Sequence, residues 1–289
     1  MNIALTVFGK RGYFYAAYNL AASIKKFTPD TKILLIHDSG LKYLSADELK
    51  VFDIFHPIDE SITHPNGMLD AGYAKLCVYP IATKYFKEYL FMDVDALSLK
   101  DLTKWYSDAK SDGRNFLTDV RGKGGKSDVI NYSVWATNED IWSEFGLKDL
   151  DTFQAIQSSW HFARKSKEAT ALIRDAIGLN GSAFVDRSKL LIKWGKNLPD
   201  ELVMGGAISR AKMDVKFAYE PIYFPNKHLS ISELRSGYYV LSMFGNGRGA
   251  NTMVKADFKE FYDRFLRNEV FGHQVKYKNS VVMRDKMIG

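Results

Sequence analysis

Apolar residues in the first third of the chain fall into short continuous runs, separated by stretches in which they recur at helical spacing. Residues 2–8 form a brief apolar run and predict a strand, with a turn following at Gly9-Lys10-Arg11-Gly12. Over 13–27 the apolar positions Tyr13, Ala16, Ala17, Leu20, Ile24 and Phe27 lie on one helix face. Pro29-Asp30 stops that helix. In 32–37 the unbroken run Ile33-Leu34-Leu35-Ile36 predicts a strand covered on both faces, as in a parallel sheet. Ser45 ahead of Ala46-Asp47-Glu48 has the form of a capping-box helix start. A third strand is predicted over 53–58, a helix broken near Pro80 over 72–85, and a fourth strand over 88–92. This repeated strand–helix order predicts an α/β fold with a parallel sheet and crossover helices.

Past Asp101 the alternation loosens. Residues 116–120 and 132–137 predict strands, and between them lies the basic, glycine-rich run Arg121-Gly122-Lys123-Gly124-Gly125-Lys126. It reads either as a solvated connection or as a loop able to fold over an anion. Within 152–164 a polar triplet, Gln157-Ser158-Ser159, interrupts apolar surroundings, and a helix follows over 167–177. Leu198-Pro199-Asp200-Glu201 opens a helix reaching about Arg210, with both acids in the first turn, where the helix dipole favours them. Residues 215–224 predict a late strand. A last helix over 255–271 sets Phe258, Phe261, Tyr262, Phe265 and Leu266 on one packing face, and a basic tail fills 274–289. The simplest division is one α/β domain over 1–250 and a C-terminal helix with its tail over 251–289.

Composition narrows the classes. With 46% hydrophobic and 26% charged residues in 289, the chain reads as an ordinary globular protein. No apolar run approaches the roughly 20 residues needed to span a bilayer. The first residues lack the charged start and cleavage site of a signal peptide. The lone Cys77 excludes an intrachain disulfide framework and fits a reducing compartment, so the expected location is cytoplasmic. A net charge of +6 permits an anionic partner, but bases and acids are interleaved and no long cationic block dictates nucleic-acid binding.

The chemistry concentrates in Tyr89-Leu90-Phe91-Met92-Asp93-Val94-Asp95-Ala96-Leu97, where a buried-strand pattern ends in two acids one residue apart. Carboxylates are rarely buried unless paired, hydrogen-bonded or bound to a metal. At the carboxyl edge of an α/β sheet, where ligands bind, two such acids can share a hard divalent cation. The other reading is a strand end passing into a solvated turn.

Ala74-Lys75-Leu76-Cys77, an aromatic-rich helix and then Phe91-Met92-Asp93-Val94-Asp95-Ala96-Leu97 resemble the core of the glycogenin-type glycosyltransferases. The resemblance is clearest over 2–102. It implies a GT-A-like fold, a mostly parallel sheet flanked by helices, with the C-terminal helix as an extension. It also implies transfer of a sugar from a nucleotide diphosphate donor, a UDP-sugar, to an acceptor hydroxyl, with retention of anomeric configuration. Asp93 and Asp95 would hold Mn²⁺ or Mg²⁺ against the donor diphosphate, Asp93 also touching the ribose. Lys75 matches a basic residue on donor phosphate or sugar, and Thr6, Phe8 and Tyr13 fall where the nucleobase is received. Gln157-Ser158-Ser159 falls where the family has an Asn-Ser-Gly-like turn meeting sugar or acceptor. Asp200 and Glu201 match an acidic helix start beside the transferred sugar. One departure concerns the late His-x-x-Gly segment that supplies a third metal ligand. Here it reads Ser242-Met243-Phe244-Gly245, with Arg248 where a phosphate-binding Lys would follow; His228 or His273 are the alternative ligands.

Other readings stay open at this level. A haloacid-dehalogenase-type phosphatase also uses Asp-x-Asp, but Gly-Thr typically follows it, and here Ala96-Leu97 does. A sugar nucleotidylyltransferase needs an early glycine-rich loop that Gly9-Lys10-Arg11-Gly12 replaces poorly. A non-catalytic nucleotide-sugar binder is compatible with the missing His. The acceptor can be a saccharide, a protein, a small molecule or a modified DNA base.

Overall fold

In a computed structural model the described residues are 1–65, 70–128, 136–181, 198–223 and 231–242. Among the described residues nine strands run in chain order as β1 (Asn2–Val7), β2 (Lys32–His37), β3 (Ile54–Pro57), β4 (Glu88–Met92), β5 (Ala96–Ser98), β6 (Phe116–Gly124), β7 (Phe153–Arg164), β8 (Ile222–Tyr223) and β9 (Val240–Ser242). Six form a sheet of order β3-β2-β1-β4-β7-β6, and three a small sheet of order β5-β9-β8. The β1–β2 and β2–β3 pairs are parallel and β6 is antiparallel to β7, so a mostly parallel α/β sheet carries an antiparallel edge. Residues group into two compact units. One comprises Met1–Pro57, Met92–Ser111 and the described residues from Glu220 onward; the other comprises Ile58–Phe91 and Asp112–Tyr219.

In the first unit, Ile3, Ala4, Leu5, Ile33, Leu34 and Leu35 are wholly buried, as two-sided coverage of parallel strands requires. The helix Arg11–Phe27 buries Ala16, Ala17, Leu20, Ala21 and Ile24, the face anticipated from spacing. It starts two residues before the expected Tyr13, so Arg11 and Gly12 are helical and the turn shrinks to Phe8–Lys10. Gly9 makes that turn at φ 81°, a conformation that favours glycine, and its N–H donates to Asp38 at 2.7 Å. The Ser45 capping box forms as its sequence predicts. Helix Thr103–Ser111 and the small sheet complete this unit. Strands of two or three residues carry no periodicity, and of the small sheet only β8 lies within a stretch where the sequence predicts a strand, 215–224.

In the second unit the helical stretch expected over 72–85 is two helices, Ala71–Leu76 and Val78–Ala82, and the break falls at Cys77 rather than Pro80. Pro80 occupies the third position of its helix, where the backbone N–H has no intrahelical acceptor to lose. Strand β6 continues through most of the basic run expected to be a loop: Gly122, Lys123 and Gly124 pair with Ala155, Gln154 and Phe153. Lys126, just beyond, pairs with Glu139 at 3.2 Å and Asp149 at 3.1 Å. A helix not anticipated, Asn138–Phe145, follows an N-cap at Thr137. The strand expected over 132–137 lies mostly outside the described residues. Helix Lys167–Gly181 extends four residues past its expected end. The strand expected over 215–224 reduces to one bridge, Thr118 with Lys216, and to β8. The helix at 255–271, the tail, His228, Arg248 and His273 lie outside the described residues. No helix among the described residues is long and apolar enough to cross a membrane.

Candidate functional site

Asp93 and Asp95 step off the carboxyl end of β4, before β5. Asp95 is buried at 8% exposure, whereas Asp93 is half-buried. The antiparallel β5–β9 register sets Ser242 opposite Ala96, one residue beyond Asp95. Ser242 is itself buried. Among the described residues no three of His, Cys, Asp and Glu gather as a metal-holding group. Asp93 and Asp95 offer two carboxylates one residue apart along the backbone. That set fits a hard cation such as Mg²⁺ or Mn²⁺, which takes one or two carboxylates and fills its remaining positions with phosphate oxygens and water. Elsewhere in the same unit, Thr6, next to the last residue of β1, has a buried hydroxyl that makes no hydrogen bond, and Phe8 and Tyr13 lie on either side of Gly9, both half-buried.

The second unit assembles a different group. Asp70 caps the helix Ala71–Leu76 by accepting from Tyr73 N–H at 2.8 Å. Gly72 lets that helix start touch the backbone at the start of helix Asp200–Ala211: a Cβ there would lie 3.0 Å from Leu198 O and 3.2 Å from Asp200 N. Lys75 thus reaches Asp200, with Nζ 3.3 Å from Oδ2. The pair is a loose ion contact rather than a formed hydrogen bond, since Oδ2 meets no donor in hydrogen-bonding geometry. Helix Asp200–Ala211 packs on β7 at Gly205 and on Phe145 at Gly206, and Ser209 Oγ accepts from Gln154 N–H at 2.9 Å.

Glu201 follows Asp200 in the helix's first turn. Burial first, and then the neighbouring Asp200 charge, push its carboxyl up to about 7, against the opposing pull of Arg121, Lys75 and the Ser158 backbone N–H. Because the folded pKa is the raised one, the native state binds the extra proton between the ordinary carboxyl range and pH 7. Stability from this group is present at the low end of that window and is lost as pH rises through 7. Glu201→Gln, which mimics the protonated form, should match the wild-type melting temperature near pH 5 and exceed it by pH 8. Thermal melts of both proteins across that range test this, and parallel pH profiles would contradict it.

Strand β7 is interrupted where the polar triplet stands. Leu117 pairs with Phe162 but Asp119 with Gln157, so Ser158–His161 bulge opposite Thr118. Thr118 Oγ1 closes the bulge, donating toward Gln157 O at 3.0 Å and Trp160 O at 2.8 Å. Gln157 Oε1 and Ser159 Oγ are buried without hydrogen-bond partners. The bulge also brings Trp160 Nε1 to Asp119, which accepts at 2.8 Å. Asp119 and His161 were not singled out in the sequence. Asp119 had a usable signal, a carboxylate inside the strand predicted over 116–120, where burial requires a partner; His161 had none, because its neighbours come from distant segments. Cys77 has no nucleophilic role suggested here, as burial pushes its thiol up to about 11.

No protein-family model and no curated protein matches the chain. Solved structures do. The galactosyltransferase LgtC, in complex with donor and acceptor sugar analogues, aligns over 97% of this chain and 100% of its own, at TM-score 0.57 and 13% identity. The fold is that of the GT-A glycosyltransferases. Mouse xyloside xylosyltransferase 1 covers 85% of this chain and 99% of its own at TM-score 0.52 and 7% identity. The bifunctional glycosyltransferase WbbM covers 85% of this chain and 46% of its own, at TM-score 0.53 and 11% identity.

Proposed function

We propose that this GT-A protein is a divalent-metal-dependent glycosyltransferase, moving a sugar from a UDP-sugar or similar nucleotide diphosphate donor to an acceptor hydroxyl. The observation that carries the reading is the Asp93-Val94-Asp95 step at the end of β4 in this fold, with Ser242 in register beside it. Mn²⁺ or Mg²⁺, when bound, supplies charge stabilisation for the departing diphosphate.

The chain's own residues do the rest. Asp93 and Asp95 hold the cation by hard oxygen ligands. Thr6, Phe8 and Tyr13 receive the nucleobase. Lys75 and Arg248 add positive charge where negative charge grows as the anomeric C–O bond breaks. Asp200, Glu201 and Gln157 orient the transferred sugar and the incoming hydroxyl. A Glu201 that titrates near 7 can either donate or accept a hydrogen bond from its carboxyl group at neutral pH. Retention of configuration follows from the family resemblance, as does the assignment of Arg248. The lone Cys77 suits a reducing, cytoplasmic setting.

The direct test is hydrolysis of a panel of nucleotide sugars with and without Mn²⁺. Slow, metal-dependent release of nucleoside diphosphate from one donor is the expected result. No hydrolysis of any donor, together with no metal-dependent nucleotide binding, would sink the reading.

A further inference from the structure

Among the described residues, one titratable side chain that the proposed reaction leaves unused is His161, half-buried on β7. Its ring lies stacked against Phe91, with centroids 4.9 Å apart and planes at 22°, and against Phe116 at 5.0 Å and 25°. Its Nε2 is 3.2 Å from the hydroxyl of Tyr89, a residue with no exposed surface. His161 joins Lys75, Ser158 and Asp200 in lining a recess with Phe91, Phe116 and Trp160. Lys75, Asp200 and Tyr79 are the titratable groups that share this recess, with Tyr89 hydrogen-bonded to the ring.

We infer that His161 is a positioning residue for Lys75: held between two phenyl rings and tied to Tyr89, it walls the recess in which the lysine ammonium meets Asp200. A ring fixed on both faces cannot yield, so the ammonium is directed to the carboxylate instead of folding inward. The imidazole must be uncharged to serve, because an imidazolium would repel Lys75. Burial and the Lys75 charge together hold it neutral, pushing its pKa down to about 3. The inference deepens the glycosyltransferase reading, on which Lys75 contacts the donor.

The alternative is that His161 only satisfies the Tyr89 hydroxyl. A paired substitution separates the two roles. Tyr89→Phe with His161→Leu removes the Tyr89 hydroxyl and the stacked ring that it fixes while leaving an apolar side chain in the site, which limits the cost of an orphaned polar group. The double variant should fold, raise the donor KM about tenfold and change kcat less than about threefold. In a Lys75→Met background the same pair should add nothing, since coupled residues are not additive. An unchanged donor KM, or a rise that persists without Lys75, overturns the inference.

A second measurement holds even if no donor is turned over. By NMR, the His161 ring signals of the wild-type protein should stay those of a neutral imidazole down to about pH 4. In Lys75→Met their titration should move upward by roughly half a unit or more, as removal of a nearby like charge requires. A titration that Lys75→Met leaves unmoved overturns the inference independently of any donor activity.

Discussion

Asp95→Asn is expected to lower donor turnover by about 10²- to 10³-fold at saturating Mn²⁺, the scale on which losing one charge-stabilising group at a departing oxyanion is felt. The substitution keeps the side chain's shape and removes its charge, so it weakens cation binding without opening a cavity. Asp95 is buried, and a buried carboxylate is costly unless compensated. Asparagine keeps the side-chain volume, so the variant should fold. The measurement pairs nucleoside diphosphate release with a Mn²⁺ titration of nucleotide binding and a thermal melt. Lost turnover with an unchanged melt supports the donor-anchor role. Unchanged turnover removes Asp95 from the mechanism. If the wild type binds nucleotide in a metal-dependent way but turns nothing over, and Asp95→Asn weakens that binding, the chain is a binder on a transferase scaffold.

Gly205→Val should destabilise the second unit by about 3 kcal/mol, the upper part of the usual range for overpacking. A Cβ at Gly205 would lie 2.7 Å from the carbonyl oxygen of Gln154 and 2.9 Å from Phe153 Cζ. The first of these is backbone of β7 and cannot swing away as a flexible side chain would. Gly206 is pressed in the same manner on the Phe145 ring, at 2.9 Å. The helix Asp200–Ala211 would have to lift from β7, and with it would go Asp200, Glu201 and the Lys75 contact. A fall in melting temperature of roughly 6–12 °C is the expected reading for a unit of this size, accompanied by loss of donor turnover. Gly178→Ala is the contrast: nothing lies within 4 Å of a Cβ there, and the residue is within helix Lys167–Gly181. That variant should gain about 0.5–1 kcal/mol, because alanine loses less backbone entropy than glycine on folding. Equal melts for Gly205→Val and wild type would mean that the helix does not depend on its close approach to β7.

The parts of the molecule legible in the sequence are those whose signals are local. Strand β2 runs from Lys32 to His37 as the apolar run prescribes, and β4 ends at Met92, where the acids begin. Helix Arg11–Phe27 buries the face its spacing marks, and Ser45 caps as its neighbours predict. In each case burial on one side, or a hydrogen bond three residues away, is written in adjacent positions. The Asp93-Val94-Asp95 step belongs to the same class, since a carboxylate at the end of a buried run announces itself. Along the run Arg121–Gly124 the local signal misled: glycine and lysine read as a loop, yet β7 supplies the hydrogen bonds that make it a strand.

The sequence by itself determined the strand–helix order of the first hundred residues and the position of the acidic pair. Only the tertiary structure decided which side chains meet. The bulge that turns Trp160 toward Asp119 arises from a register between β6 and β7 that no single segment encodes. Lys75 finds Asp200 because Gly72 allows two helix starts to touch, and His161 lies between Phe91 and Phe116 because three separate strands bring their rings together. Periodicity records which face of an element is buried. It carries no information on the partner across the contact, because that partner is chosen by packing between segments remote in the chain.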